Sequence, residues 1–307
     1  MAAQRKKTGG DDLVAERIRD AMPALTAAEK RAARALLANY PLLGLETVAR
    51  FAAQAGVSAP TILRFVGRIG FDSYADLQRR LKAEVEARLL SPLEKAGTGR
   101  RPGGPQHAGG SFADAVAGNV AETFRRLPKG EFDAVAAILA DPRRPLHLLG
   151  GRFTDSLARY MTAHLRILRP NVTHLDGQRA NWRDQLIDMG GRDVLFLVDI
   201  RRYQDDLVDL AAEAARRRVT TVLLTDQWLS PAARNARHVL AARVAVPSAW
   251  DSNVALLALI EALIAEVTTR RGSASRDRMA AIEALRHEST VPPGARGKAG
   301  GRRQADG

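Results

Sequence analysis

From residue 11 to residue 95 the apolar positions recur three and four apart and never alternate, which is the period of helices burying one face. Thr26 stands as an N-cap with Glu29 three residues on. Ala32, Leu36 and Tyr40 then follow at four-residue spacing, predicting a helix that runs to about Asn39 and stops before Pro41. Glu46 to Ala55 places Val48, Phe51, Ala52 and Ala55 on one face. Gly56 then supplies the residue most tolerant of positive φ, and Val57 can plug the corner. Ser58 caps the next helix, with Pro60 in its first turn, where a missing N–H costs nothing. Ile62, Phe65, Val66 and Ile69 form the inward arc of that helix, and Gly70 ends it.

The second half has a different pattern. Short apolar runs alternate with longer amphipathic stretches, as in a parallel sheet wrapped by helices. The predicted strands are Leu146 to Gly150, Asn171 to Leu175, Val194 to Asp199 and Thr220 to Asp226, with His238 to Val244 a fifth. Between the two patterns lies AGTGRRPGGPQHAGG, dense in Gly and Pro, which reads as a linker. The expected organisation is an all-α domain at 11–95, a linker at 96–110, an α/β domain at 111–288 with three layers and a mostly parallel sheet, and a basic disordered tail at 289–307. Residues 1–10 read as a second tail.

Composition changes this picture in three ways. The 307 residues suit two domains, and 46% hydrophobic with 26% charged residues is ordinary for a globular chain. Forty-seven Lys and Arg against 34 Asp and Glu give a formal charge of +13, which favours a polyanionic partner, nucleic acid first. The absence of cysteine excludes disulfides, thiolate metal sites and a Cys nucleophile. No run approaches a membrane span and no secretory signal is visible, so the expectation is a cytoplasmic protein with no membrane partner.

In the helix opened by Ser58, Thr61, Arg64 and Arg68 share an arc distinct from the apolar one. A major-groove helix needs such an arc. Its N-terminal end, with Ser58 and Pro60, can approach phosphates, Arg64 can donate two hydrogen bonds to a guanine edge, and Arg68 can meet the backbone. Two arginines also suit a plain solvated face, but helix, glycine turn, capped helix and glycine stop come here in the order of a helix-turn-helix. The string resembles the helix-turn-helix domain of the RpiR/MurR family of regulators, whose pattern is close to Ser-Pro-Ala-Thr-Val-Ser-Arg-Phe. Here it stands as Ser58, Ala59, Pro60, Thr61, Ile62, Leu63, Arg64, Phe65, with Gly70, Phe71, Tyr74 and Leu77 matching the continuation. Ala59 and Pro60 are swapped, and Leu63 replaces a common serine.

The first predicted strand ends in Gly150 and Gly151, and the helix after it starts with Thr154 and Ser156. Backbone N–H groups and hydroxyls at a helix start form an anion site, although glycines and a threonine cap alone would also make a tight turn. Residues 144–271 resemble an SIS domain, the phosphosugar-binding module that follows the helix-turn-helix in this family. Thr225 to Ala236 resembles its loop ending in Ser-Pro, and Ala249 to Val267 its last long helix. The resemblance implies a Ser-x-Ser-Gly-x-Thr loop after the third strand, but the chain has Asp199, Ile200, Arg201, Arg202, Tyr203 and Gln204 there. Arg201 and Arg202 can hold an anion. Alternatively the pocket is structural, with Asp199 paired to an arginine.

The expected effector residues are Gly151, Arg152, Thr154 and Ser156 from the first turn, and Arg201, Arg202 and Tyr203 from the altered loop. His147, His164 and His174 show no metal-ligand spacing, and no metal, cofactor or catalytic residue is expected. Trp182, Trp228 and Trp250 read as core or interface anchors, and Asp205 and Asp206 as helix-start carboxylates. The chain thus reads as a non-enzymatic, sequence-specific transcriptional regulator. It would bind double-stranded DNA at a palindromic operator as a homodimer or homotetramer and sense a small anionic metabolite, a sugar phosphate or carboxylate. The alternatives are a phosphosugar isomerase with a DNA-binding appendage and a charge-only architectural protein.

Overall fold

The structure, a computed structural model, describes residues 13–89, 108–177 and 179–290. It divides into two compact units, Met1–Thr98 and Gly99–Gly307.

The first unit is helical. α1 (Val14–Ala21) is followed by α2 (Ala27–Ala38), the short α3 (Leu42–Leu45), α4 (Val48–Ala55), α5 (Ala59–Arg68) and α6 (Tyr74–Leu89). The capping box of α2 forms as its spacing predicts: the Glu29 carboxylate accepts from Thr26 N at 2.9 Å, and Thr26 Oγ1 accepts from Glu29 N at 3.4 Å. α4 and α5 meet at Gly56, whose φ of +62° is left-handed, and Phe51 packs edge-on against Phe65 with ring centroids 6.3 Å apart. Sequence reading assigned no separate helix to α1, whose short buried face is Val14, Ala15 and Ile18, with Leu13 buried just before it. Its place is fixed by α6, where buried Glu84 accepts hydrogen bonds from Val14 N and the Tyr40 hydroxyl.

The second unit opens with α7 (Ala108–Arg126) and α8 (Lys129–Ala140). There follow β1 (Leu146–Gly150), α9 (Asp155–Leu168), β2 (Val172–His174), α10 (Arg179–Leu186), β3 (Val194–Asp199), α11 (Asp205–Arg216), β4 (Thr220–Asp226), β5 (His238–Ala242), α12 (Val254–Arg271) and α13 (Ser273–Thr290). Among the described residues the sheet has five parallel strands in the order β2-β1-β3-β4-β5. Alternate strand residues feed two cores. Leu148, Phe196 and Val222 face α8, α9 and α12, whereas Leu149, Leu197 and Leu223 face α10 and α11. This is the three-layer α/β arrangement the alternating pattern predicts.

Two boundaries differ from expectation. The linker expected over 96–110 lies outside the described residues up to 107, but residues 108–110 already belong to α7. Phe112, Val116, Val120 and Phe124 recur every four residues, and that amphipathic repeat carries the helix back through the glycines. At the other end α13 runs to Thr290, past the expected tail boundary, and 291–307 lie outside the described residues. α12 begins at Val254 rather than Ala249 and is followed by α13.

Candidate functional site

Two places collect the chemistry. The first is the outer face of α5. Ile62, Phe65 and Val66 are buried, while Ser58, Pro60, Leu63, Arg64, Gly67 and Arg68 lie open to solvent. Thr61 is only 5% exposed, so it does not lie open beside the arginines as its arc predicts. Its hydroxyl instead joins a chain, 2.9 Å from Ser58 Oγ and accepting from Arg64 Nη2 at 3.1 Å. Ser58 occupies the N-cap position, but its side chain bonds Thr61 rather than a backbone N–H. Thr61 therefore orients the Arg64 guanidinium. Arg68 Nε lies 3.9 Å from Glu29 Oε1, whose carboxyl is held below its ordinary range chiefly by the Thr26 backbone N–H.

The second place is the mouth of the sheet between β1 and β3, where the strand order reverses and a doubly wound sheet opens a crevice at its carboxyl ends. A Cβ on Gly150 would lie 2.5 Å from the backbone of Thr154 and Asp155, so only glycine lets the chain turn into α9 there. Thr154 is buried and ties the turn to β3, accepting from Gly151 N at 2.9 Å and donating to Val198 O at 2.5 Å. Arg152 N donates to Gln204 Oε1 at 2.6 Å, and Ser156 Oγ to Phe153 O at 3.3 Å.

The altered loop is also internally engaged. Arg201 grips Asp251 in bidentate fashion, at 2.7 and 2.5 Å, with side-chain exposures of 5% and 12%. Its guanidinium stacks 3.9 Å from the Trp228 ring centroid. The Tyr203 hydroxyl donates to Asp226 Oδ1 at 2.8 Å, and Asp226 also accepts from Arg201 N and Trp228 N. Arg202 is exposed, as are Arg152, Phe153 and Trp250, the two aromatic rings packing edge-on at 5.5 Å. The arginine partner considered for Asp199 is not formed. Its carboxylate accepts from Ser230 Oγ at 2.5 Å, because Ser230 caps the turn Pro231–Arg234 directly beside it. Sequence reading gave no site role to Ser230, Gln204, Asp226 or Asp251, although Gln204 stands in the altered loop, Ser230 in the Ser-Pro loop and Asp226 at a strand's carboxyl end.

Burial pushes the Asp199 carboxyl up to about 7, with Asp226 and Asp206 adding repulsion against the hydrogen bond from Ser230, and burial raises Asp226 as well. A raised carboxyl keeps its proton in the folded state while the unfolded chain has lost it. Stability therefore falls as pH rises toward and through that value, by on the order of 1 kcal/mol between about pH 6 and 8. The Asp199→Asn protein is expected to lose this slope. Urea titrations followed by tryptophan fluorescence at the two pH values measure it, and an unchanged slope would remove Asp199 as its source.

Residues 13–88 match the family model described as a helix-turn-helix domain of the rpiR family, and residues 138–266 match the SIS domain. The chain is an RpiR-family regulator, an rpiR-type helix-turn-helix domain joined to an SIS domain. Among solved structures, the SIS unit is similar to the sugar isomerase domain of an RpiR transcription factor from Sphaerobacter thermophilus. Identity there is 25% over 58% of this chain and 99% of that one, with a TM-score of 0.55. The NanR protein of Vibrio vulnificus complexed with ManNAc-6P shares the fold at 15% identity over 91% of this chain and 100% of its own, with a TM-score of 0.53. None of the curated proteins matches. The helix-turn-helix domain contains α5, and the SIS domain contains the crevice. No described helix is long and apolar enough to cross a membrane.

Proposed function

We propose that this regulator reads a DNA operator with α5 and senses a small anion, a sugar phosphate or carboxylate, at the β1/β3 crevice. The observation that carries the reading is the outer face of α5, a helix with no acidic residue, on which Arg64 is held by the Ser58–Thr61 hydroxyl chain. Ser58, Pro60 and Arg68 flank Arg64 as backbone contacts. At the crevice an effector would compete with Asp251 for Arg201, with Arg152 and Arg202 on the same loops adding positive charge. Gly151, Thr154, Ser156 and Tyr203 would shape the mouth. Displacing Asp251 frees the segment that leads into α12, and movement of that helix in a homodimer or homotetramer would change the spacing of two recognition helices on a palindromic site.

A binding role is favoured over isomerisation because Asp199 and Asp226 are buried and, like Asp251 at the same crevice, accept hydrogen bonds from the chain's own groups rather than facing a substrate. Turnover of a ketose or aldose phosphate would reverse that preference.

Fluorescence anisotropy tests the DNA reading with the duplex upstream of the protein's own coding region and a shuffled duplex of equal length. Wild-type protein is expected to prefer the first, with affinity falling steeply as salt rises. Thr61→Ala combined with Arg64→Ala is expected to lose about 10- to 100-fold of the selective affinity. Equal wild-type affinity for both duplexes near physiological salt would leave only a charge-driven architectural role.

A further inference from the structure

The outer face of α5 carries one side chain that neither the helix nor its unit needs. Ile62, Phe65 and Val66 are at most 1% exposed, whereas Leu63 is 51% exposed. At about 100° per residue, the direction opposite the buried arc runs through Pro60, Arg64 and Gly67, with Leu63 along one edge and Arg68 along the other. A single exposed leucine is common on protein surfaces. This one stands beside the arginine held for base reading.

Gly67 adds a second observation. A Cβ built there would meet nothing within 4 Å, so the packing of the unit does not require glycine at that position. Glycine inside a helix costs about 1 kcal/mol relative to alanine. Its presence on the outward line, one turn from both Leu63 and Arg64, leaves a depression into which a neighbouring surface can press. The positive charge of Arg64 and Arg68, and the absence of any acidic residue in α5, suit a nucleic-acid surface there.

We propose that Leu63 is a specificity-determining residue that reads the 5-methyl group of a thymine in the major groove, next to the base contacted by Arg64, with Gly67 admitting the duplex closely enough for the contact. Thymine is the only one of the four bases that offers a methyl group on its major-groove edge, and an aliphatic side chain is its natural partner. The proposal rests on the DNA reading above and adds the base class that this helix selects.

The test uses full-length protein and duplexes it enriches from a random-centre pool. Wild-type protein is expected to enrich a site with a fixed thymine, and replacing that thymine by deoxyuridine, which removes only the methyl, should weaken binding about fourfold. Leu63→Ser protein should lose both the preference and the deoxyuridine penalty while melting with the wild type. Leu63→Met should keep both. Enrichment of no sequence at all would overturn the DNA reading itself, and this inference with it. Enrichment of one site by wild-type and Leu63→Ser proteins alike, or an equal deoxyuridine penalty in both, would overturn the Leu63 assignment and leave the DNA reading standing.

Discussion

Arg169→Ala is expected to destabilise the C-terminal unit by about 3 to 5 kcal/mol, the range of a buried polar network losing its donor. Arg169 is fully buried, and its guanidinium donates to Leu139 O at 2.8 Å, to Pro170 O at 3.1 Å and to Arg144 O. Leu139 lies in the last turn of α8, where carbonyls have no partner within the helix. Arg271 does similar work, donating to Leu168 O and Ala140 O at the ends of α9 and α8. Burial, with Arg271 nearby, pushes the Arg169 guanidinium down to about 10, so it remains a cation at neutral pH and its donors stay in place. Alanine leaves the carbonyls unanswered around a cavity. Lysine, with one compact head, should restore only part of the loss. Trp182, Trp228 and Trp250 all lie in this unit, so urea unfolding followed by fluorescence reports on it alone. A change below about 1 kcal/mol would show that water replaces the guanidinium without cost.

Asp251→Ala is expected to cost about 3 kcal/mol, since it strands the buried Arg201 guanidinium against Trp228. The double variant with Arg201→Met should recover most of that, because removing both charges also removes the desolvation penalty. A further expectation bears on effector binding. Inorganic phosphate or a sugar phosphate should raise the melting temperature of Asp251→Ala more than that of the wild type, because the added anion takes the carboxylate's place without competition. Equal shifts in the two proteins would move the effector away from Arg201.

Much of the fold was legible along the chain. β1, β3 and β4 have the bounds their apolar runs predict, because strands buried on both faces are continuous hydrophobic segments with turn residues at either end. The capping box at Thr26, the left-handed Gly56 and the helix opening at Asp205 follow from local stereochemistry in the same way. α1, α7 and α13 were not read: α1 and α13 carry few apolar positions, and the four-residue repeat of α7 follows directly on glycines that read as linker. In the candidate sites, residue type was legible but partnership was not. Arg201 reads as a free anion grip until Asp251, fifty residues on, is brought against it. Thr61 reads as an exposed contact until its hydroxyl is seen bracing Arg64.

The sequence alone thus determined the order of elements, the helix-turn-helix signature and the departure of the 199–204 loop from the family pattern, since each depends on residues within a turn or two of one another. The tertiary structure alone decided which charges remain available. It joined Arg201 to Asp251, Asp199 to Ser230 and Arg169 to the helix-end carbonyls, and it left Arg64, Leu63 and Arg202 facing outward. The physical reason is that the burial and pairing of a polar group are set by what the fold brings alongside it, and partners distant in the chain leave no periodic trace in the sequence.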